Sequence, residues 1–402
     1  MPSHPVRPVP LRQDALVIGL VGLAHASSHF AHLLLPLMFP VFMKEFGLSF
    51  AQLGLLMSVF FVVSGTGQAT SGFVVDRIGA RPALFTAFAF FIAACLLASI
   101  ATGYGMLMAV AVLAGLGNCT FHPVDFTILN QRVSTPRLGH AFSAHGLTGN
   151  LGWALAPVFF AGISAISTWR VAYLCAALMY VLILLVLLVH RDQLRTEAVV
   201  RHADAPAGSD LAFMKLPVVW WCFAFFLLST MTLAVVQSFS VSILKALHGV
   251  SFEAATMTLT AYMLCGAFGM FMGGFVAARL PAHSDRVVAV CMSVGALCMA
   301  LCATGIFGAT GTMVVLAATG LAVGIGGPSR DMMIKKATPK GATGRVYGMV
   351  YSGLDVGFAI SPVVFGVFMD HGWYSATLLG AALVLLLSVG VALGVGHRTK
   401  PA

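Results

Sequence analysis

The chain has 402 residues, of which 59% are hydrophobic and 9% charged, against about 25% charged in an average soluble domain. With a mean hydropathy of +0.96 it has too little polar surface to cover one core, which excludes a soluble enzyme and predicts an all-α polytopic protein in a lipid bilayer. The net charge of +9 comes from arginines and lysines scattered singly at the ends of apolar runs, a topology signal rather than a nucleic-acid surface.

Met1 to Arg12 is proline-rich and basic, with no cleavable signal-peptide pattern. Twelve apolar runs follow, spans 1 to 12, over 14–38, 50–75, 81–102, 105–131, 138–164, 168–189, 217–243, 252–278, 286–308, 311–334, 345–368 and 374–396. Each is near the ~20 residues that a helix needs to cross a bilayer. Span 1 carries His25, His29 and His32, which fall on one helical face at about 100° per residue. Polar groups in a membrane helix face a cavity or a partner. This face therefore predicts cavity lining, with a proton relay, substrate hydrogen bonding or a metal as competing chemistries, and packing histidines as the plain alternative. A metal usually needs carboxylate or cysteine company, which this face lacks, so no metal is expected.

Between spans 2 and 3 stands Gly72-Phe73-Val74-Val75-Asp76-Arg77-Ile78-Gly79-Ala80-Arg81. Span 4 carries Asn118, His122 and Asp125. Pro123 lacks an N–H, which loosens the helix and frees a carbonyl. An acid in an apolar run is costly unless paired or functional, so Asp125 points to substrate or proton handling; a helix-end charge, seven residues from Arg132, is the alternative. Span 5 adds His140, His145 and Asn150, and span 7 adds Gln237. The eight cysteines all lie inside apolar runs without a CxxC pair, which predicts neither disulfide frame nor zinc knuckle.

The polar stretch Arg191 to Lys215 is the one linker-like segment. It divides the chain into a first half (1–190), a linker (191–215) and a second half (216–402). Span 10 carries Pro328-Ser329-Arg330-Asp331. Adjacent residues on a helix do not face each other, so Arg330 and Asp331 are expected to have different partners. Span 11 carries Tyr347, Tyr351 and Asp355. Asp355 lies mid-span and is a candidate for proton coupling or cation binding; a structural hydrogen bond is the alternative.

The two halves repeat. Ser49-Phe50 matches Ser251-Phe252, and Gly72-Phe73-Val74 matches Gly274-Phe275-Val276, at an offset of 202. At 205, Gly115-Leu116 matches Gly320-Leu321, Pro123 matches Pro328, Gly152 matches Gly357 and Pro157-Val158 matches Pro362-Val363. Two six-helix pseudo-repeats in the same orientation follow, related by an axis along the membrane normal. The same register sets Asp125 against Arg330, so an inter-half salt bridge and an anion anchor at Arg330 are both open readings. If the N-terminus is cytoplasmic, 18 Lys and Arg fall on the inside and three (Lys44, Arg170, Lys245) on the outside, placing both termini in the cytoplasm.

The segment Gly72 to Arg81 resembles the loop 2–3 signature of the major facilitator superfamily. Phe121-His122-Pro123, Gly149-Asn150-x-Gly152 before Pro157, and Ser28-His29-Phe30 before Pro36 resemble its fosmidomycin-resistance-type efflux group. The resemblance implies a twelve-helix fold and a gate at Gly72, Asp76, Arg77, Gly79 and Arg81, with Gly72 packing on span 11 and Asp76 facing its N-terminus. The second copy keeps the glycine and Arg279 but has Ala278 for the acid.

These residues predict a monomeric secondary active transporter of the bacterial inner membrane. It would export a small organic molecule by alternating access with protons as coupling ion, and would need no cofactor. The substrate- or proton-handling set is His25, His29, His32, Asn118, His122, Asp125, His145, Asn150, Gln237, Arg330, Asp331, Tyr351 and Asp355. Uptake of an organic anion anchored by Arg330 is the runner-up. A membrane-embedded metal-dependent enzyme using the span-1 histidines, or a sensor that binds without flux, are the readings from other classes.

Overall fold

The computed structural model describes residues 10–134, 137–197, 212–337 and 343–399. Within these, residues 69, 72–73, 76, 138–140, 142–143, 212–213, 278, 281, 335 and 343–348 are described in backbone only. Among the described residues, twelve helical segments are long and apolar enough to cross a bilayer, in the order expected. Span 1 is Leu11–His32 continued by Phe39–Phe46, and span 4 is Tyr104–Asn118 continued by Phe121–Arg132. The other spans are Phe50–Ile78, Ala80–Ser99, Leu138–Ile166, Trp169–Val189, Pro217–His248, Phe252–Arg279, Ser284–Thr304, Gly308–Ala337, Thr343–Asp370 and Tyr374–Arg398.

The two broken spans have local causes. Pro36 opens a short 3₁₀ turn, Pro36–Met38, after which the helix resumes and runs to Gly47 at φ 65. Span 1 thus ends later than the expected 38. In span 4 the ring of Pro123 cannot donate to the carbonyl four residues back. That carbonyl, on Cys119, takes a hydrogen bond from Ser71 Oγ of span 2 instead, at 3.0 Å. The expected freed carbonyl is therefore present and used.

The duplication is visible in packing as well as in sequence. Spans 1 and 5 pack together as do 7 and 11, spans 2 and 4 as do 8 and 10, and spans 3 and 6 as do 9 and 12. Ser49 caps span 2 at the N–H of Gln52, and Ser251 caps span 8 at the N–H of Ala254. Gly115 lies against the carbonyl of Phe60, and its repeat mate Gly320 against the carbonyl of Tyr262, 202 residues on. A methyl group at either position would meet backbone. Gly320→Ala is expected to lower unfolding stability by about 1 kcal/mol or more through overpacking, read as a fall in Tm of the purified protein.

The halves meet along two seams, span 2 on span 11 and span 5 on span 8. On the first seam Gly54 lies against the carbonyl of Pro362 and Gly65 against Asp355. Between them Ser58 Oγ donates to the carbonyl of Ala359, and the rings of Phe61 and Phe358 stack at 4.3 Å. At the end of the molecule away from the Gly72–Arg81 loop, the N–H groups of Phe50 and Ala51 donate to the Asp370 carboxylate at 2.5 and 2.9 Å. Phe239 of span 7 meets Phe39 and Phe50 there. That end is closed by direct inter-half contact.

Candidate functional site

The re-aimed second piece of span 4 places Asp125 in the interior of the first half, with no solvent exposure. Its Oδ2 accepts from His25 Nδ1 and from His145 Nε2, each at 3.1 Å. The structure differs from the helix-end alternative for Asp125: it stands two turns before Arg132 and is fully buried. The His25 and His145 rings stack at 3.5 Å. His29 lies 4.4 Å from His25, His122 lies 5.5 Å from it, and His32 lies 5.1 Å from His29. Two histidines from spans 1 and 5 thus hold one carboxylate, and three more from spans 1 and 4 extend the cluster from His25. Bare Gly149 makes room for them, since a Cβ there would meet the rings of His29 and His25 at 2.7 and 3.1 Å. Asp125 Oδ1 and His29 Nδ1 are buried without a partner among the described residues.

A second knot joins the same wall. Asn118 Oδ1 accepts from Ser28 Oγ at 2.6 Å and His32 Nε2 at 3.1 Å, and Asn118 Nδ2 donates to Ser64 Oγ at 2.8 Å. Trp153 Nε1 donates to His32 Nδ1 at 3.3 Å. These bonds assign His32 the neutral form with its proton on Nε2. Both ring nitrogens are thereby tied into the wall.

A third contact crosses the seam through a residue the sequence reading passed over. His122 Nδ1 hydrogen-bonds Gln68 Oε1 at 2.7 Å, and Gln68 Nε2 donates to Asp355 Oδ2 at 3.4 Å. The available signal was an amide in apolar span 2, one turn before Gly72.

The other expected site residues do not join the cluster. Arg330 and Asp331, expected to point apart, pair with each other at 3.0 Å. Neighbouring Cβ atoms diverge, but the arginine side chain is long enough to fold back. Arg330 also lies over the Phe226 ring at 4.9 Å, and Tyr351 donates to Asp331 at 3.4 Å. The inter-half Arg330–Asp125 bridge is absent among the described residues; Asp125 is engaged by two histidines instead. Asn150 donates to the carbonyl of Gly146 and faces Met270 Sδ across the second seam at 3.8 Å. Gln237 is buried in span 7, its Nε2 without a partner among the described residues.

At the signature loop, Gly79 takes φ +83, a conformation natural to glycine. This turns the chain so that the Ala80 N–H donates to Thr196 Oγ1 at 2.8 Å. Arg81 reaches Asp192 at 3.8 Å, and Arg77 is exposed. The side chains of Asp76, His140 and Tyr347, and any contact of Gly72 with span 11, lie outside the described residues.

The donor atoms of His25, Asp125 and His145, and those of His25, His29 and His122, lie within 4.8 Å of one another. The acid missing from the span-1 face is supplied by span 4, so the spacing alone fits a metal. The first set, however, is already paired donor to acceptor, which is the arrangement of groups that share a proton.

Two like six-helix bundles packed along two seams, with buried titratable groups inside the first, are an architecture of secondary transporters of small molecules. The chain belongs to the Major Facilitator Superfamily, whose family model matches residues 21–290 and again 239–402. The Fosmidomycin resistance protein of Escherichia coli (strain K12) is 28% identical over 149 residues, 37% of this chain and 36% of that one. The Multidrug resistance protein B homolog of Mycobacterium tuberculosis (strain ATCC 25618 / H37Rv) is 25% identical over 176 residues, 43% and 33%. The chain thus spans about a third of the length of these relatives. Among solved structures, a bacterial homologue of the human lysosomal transporter Spinster, inward-facing and unoccupied, superposes with a TM-score of 0.80 at 14% identity. The match covers 98% of this chain and all of that one, and it shows the shared fold.

Proposed function

We propose that the protein exports a small organic molecule across the bacterial inner membrane in exchange for protons, with the signature loop and both termini in the cytoplasm. The observation that carries this is the buried Asp125 held between His25 and His145. A carboxylate in the interior needs a compensating positive charge or a proton, and its hydrogen-bond partners among the described residues are histidines, which change charge near neutral pH. His29 faces the same space from span 1 and His122 from span 4 itself. Span 2 brings neutral Gln68, with Asp355 of span 11 beyond it. Arg81, the charged residue of span 3, sits at its loop end beside Asp192. The resistance named in two of the relatives favours export. The Lys and Arg distribution supports a periplasmic position for the closed end.

The test is flux in proteoliposomes after a pH jump, for a compound first found by thermal-shift screening of antibiotics and organic acids. Flux of the wild type should follow the size and sign of the proton gradient. Flux indifferent to the gradient, with Asp125→Asn and Asp355→Asn both active, would overturn the proton-coupled reading.

A further inference from the structure

We propose that Gln68 is the positioning residue that ties the protonation state of the two halves to closure of the span 2–span 11 seam; this rests on the proton-coupled reading above. Its amide spans the gap between His122 of the first half and Asp355 of the second, at 2.7 and 3.4 Å. An amide offers one acceptor and one donor, and only one orientation satisfies both neighbours. With Oε1 toward His122 and Nε2 toward Asp355, the bridge requires a proton on His122 Nδ1 and an acceptor at the carboxylate. Turned the other way, Oε1 would face Asp355 oxygen to oxygen.

The bridge therefore reports on both partners. A proton arriving from water at Asp355 turns the charge-assisted bond into a neutral one of roughly half the strength. Protonation on Oδ2 itself sets donor against donor. A neutral His122 with its proton on Nε2 removes the other bond. Since the amide does not itself pass the proton on, the link is geometric.

Placement supports the role. Bare Gly65, one turn before Gln68, lets Asp355 approach span 2; a Cβ there would stand 3.2 Å from Asp355 Cβ. One turn after Gln68 comes Gly72 and the signature loop. Asp355 faces few other charges. Span 7, packed on the same span 11, has no charged residue before Lys245. Tyr351, one turn along span 11, leads to Asp331 and its partner Arg330. Among the described residues this bridge is the polar link nearest the loop on that seam, so its release loosens the loop-side end.

The test needs no substrate. Spin labels at the exposed positions Val74 in the first half and Leu280 in the second would report the inter-half distance by electron–electron resonance in nanodiscs, at about pH 5.5 and about pH 8, either side of the usual histidine range. The wild type should change its ratio of long to short distances by about fivefold or more between the two, the lower end of ordinary coupling. Gln68→Met, matched in length but unable to bridge, should give the same ratio at both pH values. Gln68→Glu, which keeps the His122 acceptor but sets a second carboxylate against Asp355, should retain a pH response with a displaced midpoint. A Gln68→Met response equal to that of the wild type overturns this inference alone, as does a Gln68→Glu midpoint at the wild-type value where the methionine variant does not fold. A wild type whose flux ignores the proton gradient overturns the transport reading first.

Discussion

Asp125→Leu is expected to abolish gradient-driven transport and to destabilise the protein, whereas Asp125→Asn abolishes transport and leaves a protein that folds. The difference follows from what each leaves behind. Leucine removes the shared acceptor of His25 Nδ1 and His145 Nε2. Two buried donors are then unsatisfied, at about 1–3 kcal/mol each. Part of that is offset by no longer burying a carboxylate, so a net loss of about 1–4 kcal/mol is expected by thermal unfolding. Asparagine keeps one oxygen acceptor in the same place and cannot take up a proton. The pair thus separates the structural duty of Asp125 from its chemical one. Gradient-driven flux in Asp125→Asn matching the wild type would show that the cluster is a packing device and that the coupling lies elsewhere.

How far the sequence revealed this site depended on the range of each interaction. The fold was readable because its causes are local or periodic: apolar runs of spanning length, Ser49 and Ser251 at helix starts, and glycines repeated at a fixed offset. The single face of His25, His29 and His32 was readable for the same reason, since helical spacing fixes it. What joins that face to Asp125 was not, because the two are 100 residues apart and sequence spacing says nothing about which helices neighbour each other. Gln68 escaped notice because a lone amide gains meaning only when its two neighbours, His122 and Asp355, are known. Arg330 was misjudged for a different reason. The rule that adjacent residues diverge holds at Cβ, and a side chain as long as arginine can return to its neighbour.

The second large effect concerns the closed end. Gly54→Val is expected to shift the protein toward opening there by about tenfold or more, because the new side chain falls on the carbonyl of Pro362 across the seam and overpacking costs about 1–3 kcal/mol. It differs in kind from Gly320→Ala. Gly320 packs within one half, so crowding it strains every conformation and lowers stability. Gly54 packs between halves, so crowding it burdens only the state in which they touch there. Asp370→Ala should act in the same direction but less, by about fivefold, since its bonds to Phe50 and Ala51 lie at least partly open to solvent and are worth about 1 kcal/mol. The readout is the rate at which an impermeant maleimide labels a cysteine at Ser242, buried now in the crevice with Phe50 and Lys245. An unchanged labelling rate in both variants would mean that this contact does not set the equilibrium. The offset of 205 that pairs the halves places Ala165 where span 11 has Asp370, so this carboxylate is not repeated at the matching position of span 5. Span 11 therefore meets span 2 through two carboxylates, Asp370 at the closed end and Asp355 at mid-span, some 15 residues earlier, about 22 Å along the helix. Loosening one while the other holds turns a sliding seam into a rocking one, which is the motion that the proposed protonation at Asp355 would drive.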